Sequence, residues 1–151
     1  MLQFLYRASD ELRHRALRKT VNPDQAAGRR GEDLAQRYLQ CHGMTVVARN
    51  WRSEGGDVEL DLVAWEFSRG EGTLVFIEVK ARQTADFGTP DRAVDEEKRR
   101  HLLRAARSYA RIARVPWEKT RFDLVSIVFG PPLQIAHRRD AFSSQWPPAR
   151  Y

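Results

Sequence analysis

Two apolar runs joined by a short turn sequence constrain the fold of this chain more than any other feature. Residues 58–67 and 73–81 are rich in Val, Leu, Ile and Phe, and the intervening SRGEG supplies the serine and glycines of a tight reversal. This composition predicts an antiparallel β-hairpin. Charged residues nevertheless stand inside both strands, although they are poor strand formers and are costly to bury. A function is one reason to keep them there.

Alternation along the two strands sorts these charges. Because successive side chains of a strand point to opposite faces, Leu60 and Leu62 are predicted to share one face while Glu59 and Asp61 share the other. The second strand sorts into two sets, Val75, Ile77 and Val79 on one face, and Phe76, Glu78 and Lys80 on the opposite face. Each strand would then have one apolar face and one face that collects charge.

This charged face has the chemistry of a metal site. If the register sets Asp61 beside Glu78, their carboxylates and the carbonyl of Val79 can hold Mg²⁺, which prefers oxygen ligands and for which Mn²⁺ is a plausible substitute. Lys80 would lie beside the metal and its water, an arrangement suited to phosphodiester hydrolysis. The alternative is a solvent-facing hairpin whose charges form weak cross-strand pairs.

Composition favours a polyanionic partner. The chain has 151 residues, enough for a single domain with its own core, and its 26 Lys and Arg against 20 Asp and Glu give a net charge of +6. Nucleic acid comes first among the partners that such a charge indicates, ahead of a membrane, and a solvated basic surface is the alternative. The single cysteine, Cys41, and the lack of a long apolar run predict a cytoplasmic protein.

The order of the remaining elements predicts an α/β fold, with a mixed central β-sheet flanked by helices. A basic, helical N-terminal arm is assigned to residues 1–27, an α/β domain to 28–142 and a tail to 143–151. Within the domain we expect a helix over 29–42 that ends at Gly43, a strand over 44–52, the hairpin, a helix over 95–114 that is preceded by a Thr89-Pro90 cap, and strands in 121–129 and 131–138.

Several blocks of the sequence resemble a known family. GRRGEDLAQRYLQCHGMTVVARNWR, ELDLVA, LVFIEVKAR, FGTPDRAVDEEKRRHLLRAARSY and RFDLVSIVF occur in this order between Gly28 and Phe142. Together they resemble the YraN family of small bacterial proteins, described as candidate endonucleases. That family is similar to the restriction-endonuclease-like superfamily with PD-(D/E)xK active sites, which includes archaeal Holliday-junction resolvases.

The resemblance implies roles for individual residues. Asp61 matches the first metal-binding aspartate, Glu78 the second acid and Lys80 the lysine of the motif, while Glu32 matches an acid on the first helix that often joins the metal site. The chain departs from the family pattern at GGDVELDLVA, where the role of Glu59 stays open between metal binding and pairing with a base.

The long helix carries a predicted nucleic-acid surface. Arginines recur at steps of three and four, on a side distinct from the apolar row, and a stripe of one sign can follow phosphates without reading sequence. A solvated helix face is the alternative. The stripe consists of Arg100, Arg104, Arg107, Arg111 and Arg114, and Lys98, Arg99, Arg82 and Gln83 are predicted to extend it toward the hairpin.

Three further residues are predicted to be structural. Trp51 and Trp117 can stack on bases, but core packing is the better interpretation, and Asp123 is expected to orient an arginine or to cap a strand end. The four histidines show no zinc spacing.

These observations favour a Mg²⁺-dependent endonuclease that acts on DNA, with branched or otherwise structured DNA as one substrate class. A DNA- or RNA-binding protein without turnover and an adaptor for an acidic protein are the alternatives. Cleavage of branched DNA by a single domain would call for a homodimer, since two strands must be cut, but the sequence shows no interface.

Overall fold

The computed structural model describes residues 23–56, 58–84 and 96–142. Its helices are α1 (Pro23–Cys41) and α2 (Glu96–Ile112), and a short 3₁₀ helix spans Trp117–Lys119. Its strands are β1 (Met44–Arg52), β2 (Glu59–Ser68), β3 (Glu71–Arg82), β4 (Thr120–Val128) and β5 (Gln134–Arg138). Most of the predicted arm, the Thr89-Pro90 cap and the tail lie outside the described residues.

The five strands form one mixed sheet in the order β1-β2-β3-β4-β5. Neighbouring strands are antiparallel except β3 and β4, which are parallel and are connected through α2. A parallel pair needs such a crossover, because its two strands run in the same direction. The predicted α/β class is confirmed, and the arrangement is consistent with a restriction-endonuclease-like fold.

The predicted hairpin is β2 and β3. Its two-residue turn has positive φ at both Arg69 (51°) and Gly70 (84°), the conformation of a type I′ turn, whose twist matches that of the strands it joins. Ser68 and Glu71 pair on either side of the turn, and this pairing fixes the register along the hairpin.

Each face of the sheet has its own core. One core joins α2 to the sheet through residues such as Leu103, Phe76 and Phe122. The other joins α1 to the opposite face through residues such as Leu39 and Val75. The central strands are therefore covered on both sides, so a charged side chain on them needs partners within the fold or a place where the cover ends.

Alternation sorts the faces of β3 as predicted, with Val75, Ile77 and Val79 in the core under α1 and Phe76 in the opposite core, but it fails on β2. Leu60 packs in the core under α2, whereas Leu62 packs in the core under α1, so the prediction that they share a face is wrong. On β1 the same switch occurs between Arg49, which pairs with acids of α1, and Trp51, which packs under α2. Asn50, between them, has a φ of 47°, a left-handed conformation that asparagine tolerates better than most residues. The two faces of β1 and β2 therefore exchange at Asn50 and at the residue opposite it on β2, which is Asp61.

The predicted bounds of the two helices also need correction. α1 begins at Pro23, well before the predicted start at Arg29, because a proline in the first turn of a helix loses no hydrogen bond. The last residues assigned to the arm therefore belong to α1.

α2 ends earlier than predicted. It stops at Ile112, where Arg114 has a φ of 56° and donates its N–H to the carbonyl of Arg111 (3.2 Å), while Val115 donates to Ala110 (2.9 Å). This pair of bonds is a Schellman motif, which satisfies carbonyls at the helix end. Arg114 consequently lies outside the helix, and the arginine stripe on α2 stops at Arg111.

Candidate metal and nucleic-acid site

Asp61 lies where the hairpin opens. β2 and β3 pair up to Leu62 and Ile77, and one further step along this register sets Asp61 opposite Glu78. There the backbone N–H of Val79 donates to Oδ2 of Asp61 at 2.8 Å. In a regular strand pair this N–H would donate to a backbone carbonyl of the neighbouring strand, and here the Asp61 side chain takes the place of that carbonyl. The register on which the predicted metal site depends is therefore present.

Glu78 is the buried centre of the cluster. Only 5% of the residue is exposed, although it is a charged residue in a strand interior. Its Oε1 lies 3.1 Å from Nζ of Lys80 and is also in contact with Nζ of Lys98, which comes from α2. A buried carboxylate needs such compensation, since an unpaired buried charge is strongly destabilising.

The surroundings of Asp61 disfavour the ionised form of its carboxyl group. Burial raises the pKa of Asp61 to about 8, the negative charge of Glu78 adds to this shift, and the Val79 N–H opposes it. Burial and the neighbouring Lys98 lower the pKa of Lys80. Burial acts in the same direction on Lys98, but the charge of Glu78 and the hydrogen bonds of Lys98 together outweigh it and raise the pKa of Lys98. The residues of the site therefore stabilise the ionised form of Asp61 only incompletely.

The residues of this cluster fit a divalent cation. The carboxylates of Asp61 and Glu78 are hard oxygen donors, and the carbonyl of Val79 points to the same strand edge as its N–H, toward Asp61. Within residues 23–56, 58–84 and 96–142, no three acidic, histidine or cysteine side chains are grouped closely enough to hold a metal by themselves. Two carboxylates suffice for Mg²⁺, which commonly keeps several waters and shares its remaining positions with substrate phosphate.

The other two predicted acids are held differently. Glu32 accepts a hydrogen bond from Asn50 Nδ2 (3.0 Å) and lies 3.5 Å from Arg49, yet its charge also raises the pKa of Asp61, which places it at the margin of the cluster. Glu59 accepts from Nε of Arg52 at 2.8 Å. Between the two open roles of Glu59, the structure shows the pairing with a base.

Part of the predicted nucleic-acid surface lies on the outer side of α2. Arg100, Arg104, Arg107 and Arg111 are all exposed there, and Arg114 is exposed beyond the helix. Arg100 pairs with Glu96 (3.1 Å), and the guanidinium of Arg107 lies over the ring of Trp117 at 5.2 Å.

The four predicted extensions of this surface toward the hairpin have different surroundings. Lys98 contacts Glu78 instead, and Arg99 lies over the ring of Phe142 at 5.6 Å with its Nε buried. Arg82 and Gln83, half-buried and exposed respectively, end β3 just beyond the cluster.

A second buried charge cluster was only partly predicted. Asp123 accepts hydrogen bonds from Arg121 at 2.8 and 3.0 Å and from the backbone N–H of Asp140 at 3.0 Å, and His137 Nε2 lies 2.8 Å away. The prediction that Asp123 orients an arginine is confirmed. The contact of His137 with Asp123 was not predicted, because no local pattern in the sequence indicates how the short strand β5 pairs.

Lys98 was predicted to lie toward the hairpin as a phosphate contact, and its ion pair with Glu78 was missed. A lysine in a run of basic residues reads as a surface residue, and only its position on α2 relative to Leu102, one turn later and buried, indicates that it can face inward. The core-packing interpretation of Trp51 and Trp117 is confirmed, since both pack against the core under α2.

In the part of the chain that the structure describes, neither helix is long and apolar enough to cross a membrane.

Known proteins match this chain along most of its length. The model of the family described as "Uncharacterised protein family UPF0102" matches residues 31–127, which include the Asp61 and Glu78 cluster. A UPF0102 protein of Solibacter usitatus is 48% identical over 142 residues, which cover 94% of this chain and all of the relative. A UPF0102 protein of Rhodococcus opacus is 46% identical over 119 residues, 78% of this chain and 96% of the relative. The chain therefore belongs to the UPF0102 family, the YraN family that its sequence blocks resemble.

Proposed function

We propose that this protein is a metal-dependent endonuclease that hydrolyses phosphodiester bonds in DNA. The observation that carries the proposal is the position of Asp61, which the Val79 N–H holds opposite the buried Glu78 where β2 and β3 part. Two carboxylates and a lysine at the open end of a hairpin form a constellation that structural packing does not require, because apolar residues of similar size would be cheaper to bury.

The residues of the cluster have separable tasks in this reaction. Asp61, Glu78 and the Val79 carbonyl would hold the cation, with Glu32 at the margin. A divalent cation bound there would polarise the phosphate of the substrate and lower the pKa of a bound water. The Lys80 ammonium lies 3.1 Å from Glu78, where it can stabilise the negative charge that develops on the phosphate oxygens.

Substrate binding is assigned to the outer side of α2. The exposed arginines of this helix and the net charge of +6 support binding to phosphates, and such contacts position a duplex without selecting a sequence. The same helix carries Lys98, which contacts Glu78. A DNA backbone that binds along α2 can therefore pass close to Asp61 and Glu78.

The test compares cleavage with binding. Purified protein is incubated with plasmid, single-stranded and branched DNA in Mg²⁺, in Mn²⁺ and in chelator, beside Asp61→Ala and Lys80→Ala and the control Lys119→Ala, which removes an exposed lysine paired with Glu71. We expect cleavage that requires metal, is unchanged in the control and falls at least about a hundredfold in the two site variants.

The other outcomes identify other functions. Salt-sensitive binding of DNA by all four proteins without cleavage would replace the nuclease by a nucleic-acid-binding protein. Failure of the wild type to bind any of the three DNA forms would leave an adaptor for an acidic protein partner.

A further inference from the structure

A single oxygen of Glu78 carries two positive charges. Both Lys80 and Lys98 direct their ammonium groups at Oε1, from β3 and from α2 respectively. Like charges repel, so two ammonium groups share one carboxylate oxygen only where the negative charge around it demands both. Glu78 is only 5% exposed, so little water stabilises its charge and both ammonium groups act on it at close range. The two ammonium groups together supply the same charge as one divalent cation.

The two lysines differ in how firmly they belong to the site. Lys80 is two residues from Glu78 on the same strand, so the backbone of β3 fixes its position. Lys98 reaches Glu78 from the first turns of α2, and its side chain is the more exposed of the two. Of the two, Lys98 is therefore the one that can leave without disturbing the strand.

We propose that Lys98 is a resident counter-ion of the metal site, which occupies Glu78 in the metal-free protein and competes with the divalent cation for it. This inference rests on the proposed function and adds a positioning residue to it. Once displaced, the ammonium remains on the helix whose outer side presents arginines, where a DNA phosphate is its natural partner. Lys98 would then link loading of the metal to binding of the substrate.

Metal affinity without any substrate tests the inference. Mn²⁺ binding to the full chain is measured by isothermal titration calorimetry for the wild type, Lys98→Met and the matched control Lys119→Met, which removes the same charge from an exposed pair with Glu71. We expect Lys98→Met to bind Mn²⁺ about tenfold more tightly or better, because a charge this close shifts the binding of another ion by at least an order of magnitude. Equal or weaker binding by Lys98→Met than by the wild type would overturn the inference.

A second measurement needs no substitution. The ¹⁵Nζ and ¹³Cε NMR signals of the lysine side chains are followed while Mg²⁺ is added to the wild type. We expect the Lys98 signals to move toward those of solvated lysine while those of Lys119 stay in place. Lys98 signals that do not move while Mg²⁺ binds would contradict the inference.

The two proposals fail in different ways. If the wild type and Lys98→Met bind Mn²⁺ equally and Asp61→Ala does not, Lys98 is no competitor but the metal site stands. If neither protein binds Mn²⁺, both proposals fall.

Discussion

Two aspartates of the same sheet, the fully buried Asp123 and the half-buried Asp61, stand in opposite electrostatic states. Asp123 on β4 is fully buried, and burial alone would raise its pKa, but His137, Arg121 and the Asp140 N–H together lower it. Asp61 on β2 also accepts a backbone hydrogen bond, yet burial and the like charge of Glu78 dominate and raise its pKa to about 8. The fold therefore stabilises the ionised form of Asp123, whereas at Asp61 it favours the protonated form.

The surroundings of Asp123 explain its stability. Arg121 also donates to Glu66 of β2 at 2.7 Å, and Arg139 donates to both oxygens of Glu66 at 2.7 and 2.8 Å. The charges therefore form a network that connects β2, β4 and the segment after β5. A buried charge with good partners on several sides contributes to a unique structure, while a buried charge beside a like charge is typical of functional sites.

The largest expected effect is the loss of the Asp123 network. Asp123→Ala leaves the guanidinium of Arg121 partly buried without its main partner, so we expect the free energy of unfolding to fall by about 3–5 kcal/mol. Urea unfolding at neutral pH measures it. The control, Glu71→Ala, removes an exposed partner of Lys119 and is expected to change stability by about 0.5 kcal/mol or less. A loss below about 1 kcal/mol in Asp123→Ala would show that the network is dispensable.

The difference between the two aspartates also shows what the sequence could and could not predict. The apolar runs, the turn and the spacing of buried residues in α2 predict the elements well, because they reflect local propensity and periodicity. The hairpin register predicts the position of Asp61 opposite Glu78, one step beyond the pair of Leu62 and Ile77.

Side-chain contacts between distant elements could not be predicted in this way. The approach of Lys98 to Glu78 and of His137 to Asp123 depends on how α2 and β5 pack on the sheet, and no local pattern encodes that packing. The switch of faces between Leu60 and Leu62 was missed for another reason, since alternation assumes a regular strand and Asn50 and Asp61 interrupt it.

Acid should remove part of the contribution of Asp123. Its pKa is lowered in the folded protein, so its contribution to stability is complete above the unfolded value near about 3.9 and is lost as the pH falls through the folded value. We expect the difference in unfolding free energy between the wild type and Asp123→Asn to shrink by about 1–2 kcal/mol between about pH 6 and pH 3. Urea unfolding across this range measures it, and a difference that stays constant with pH would refute the assignment.

Asp61→Asn should raise the free energy of unfolding, whereas the substitutions of Asp123 should lower it. The amide oxygen can still accept the Val79 N–H, while the cost of placing a carboxyl where the fold disfavours its ionised form is removed. In chelator, we expect the variant to be more stable than the wild type by about 1 kcal/mol, and its melting temperature to rise by a few degrees. Differential scanning calorimetry provides the measurement. A variant that is destabilised as much as Asp123→Asn would make the two aspartates alike and remove the basis of the comparison.

The smallest effect is expected at Glu59, and it defines the edge of the site. Glu59 belongs to the same strand as Asp61, but it pairs with Arg52, whose side chain is two-thirds exposed. Exposed pairs of this kind contribute little, so Glu59→Ala should change the free energy of unfolding by about 0.5 kcal/mol or less and should leave Mn²⁺ affinity unchanged. Urea unfolding and calorimetric titration test both statements. If Mn²⁺ binding weakens severalfold in Glu59→Ala but not in the matched variant Arg52→Ala, Glu59 is a ligand that leaves its arginine when metal binds, and the site extends one step further along β2.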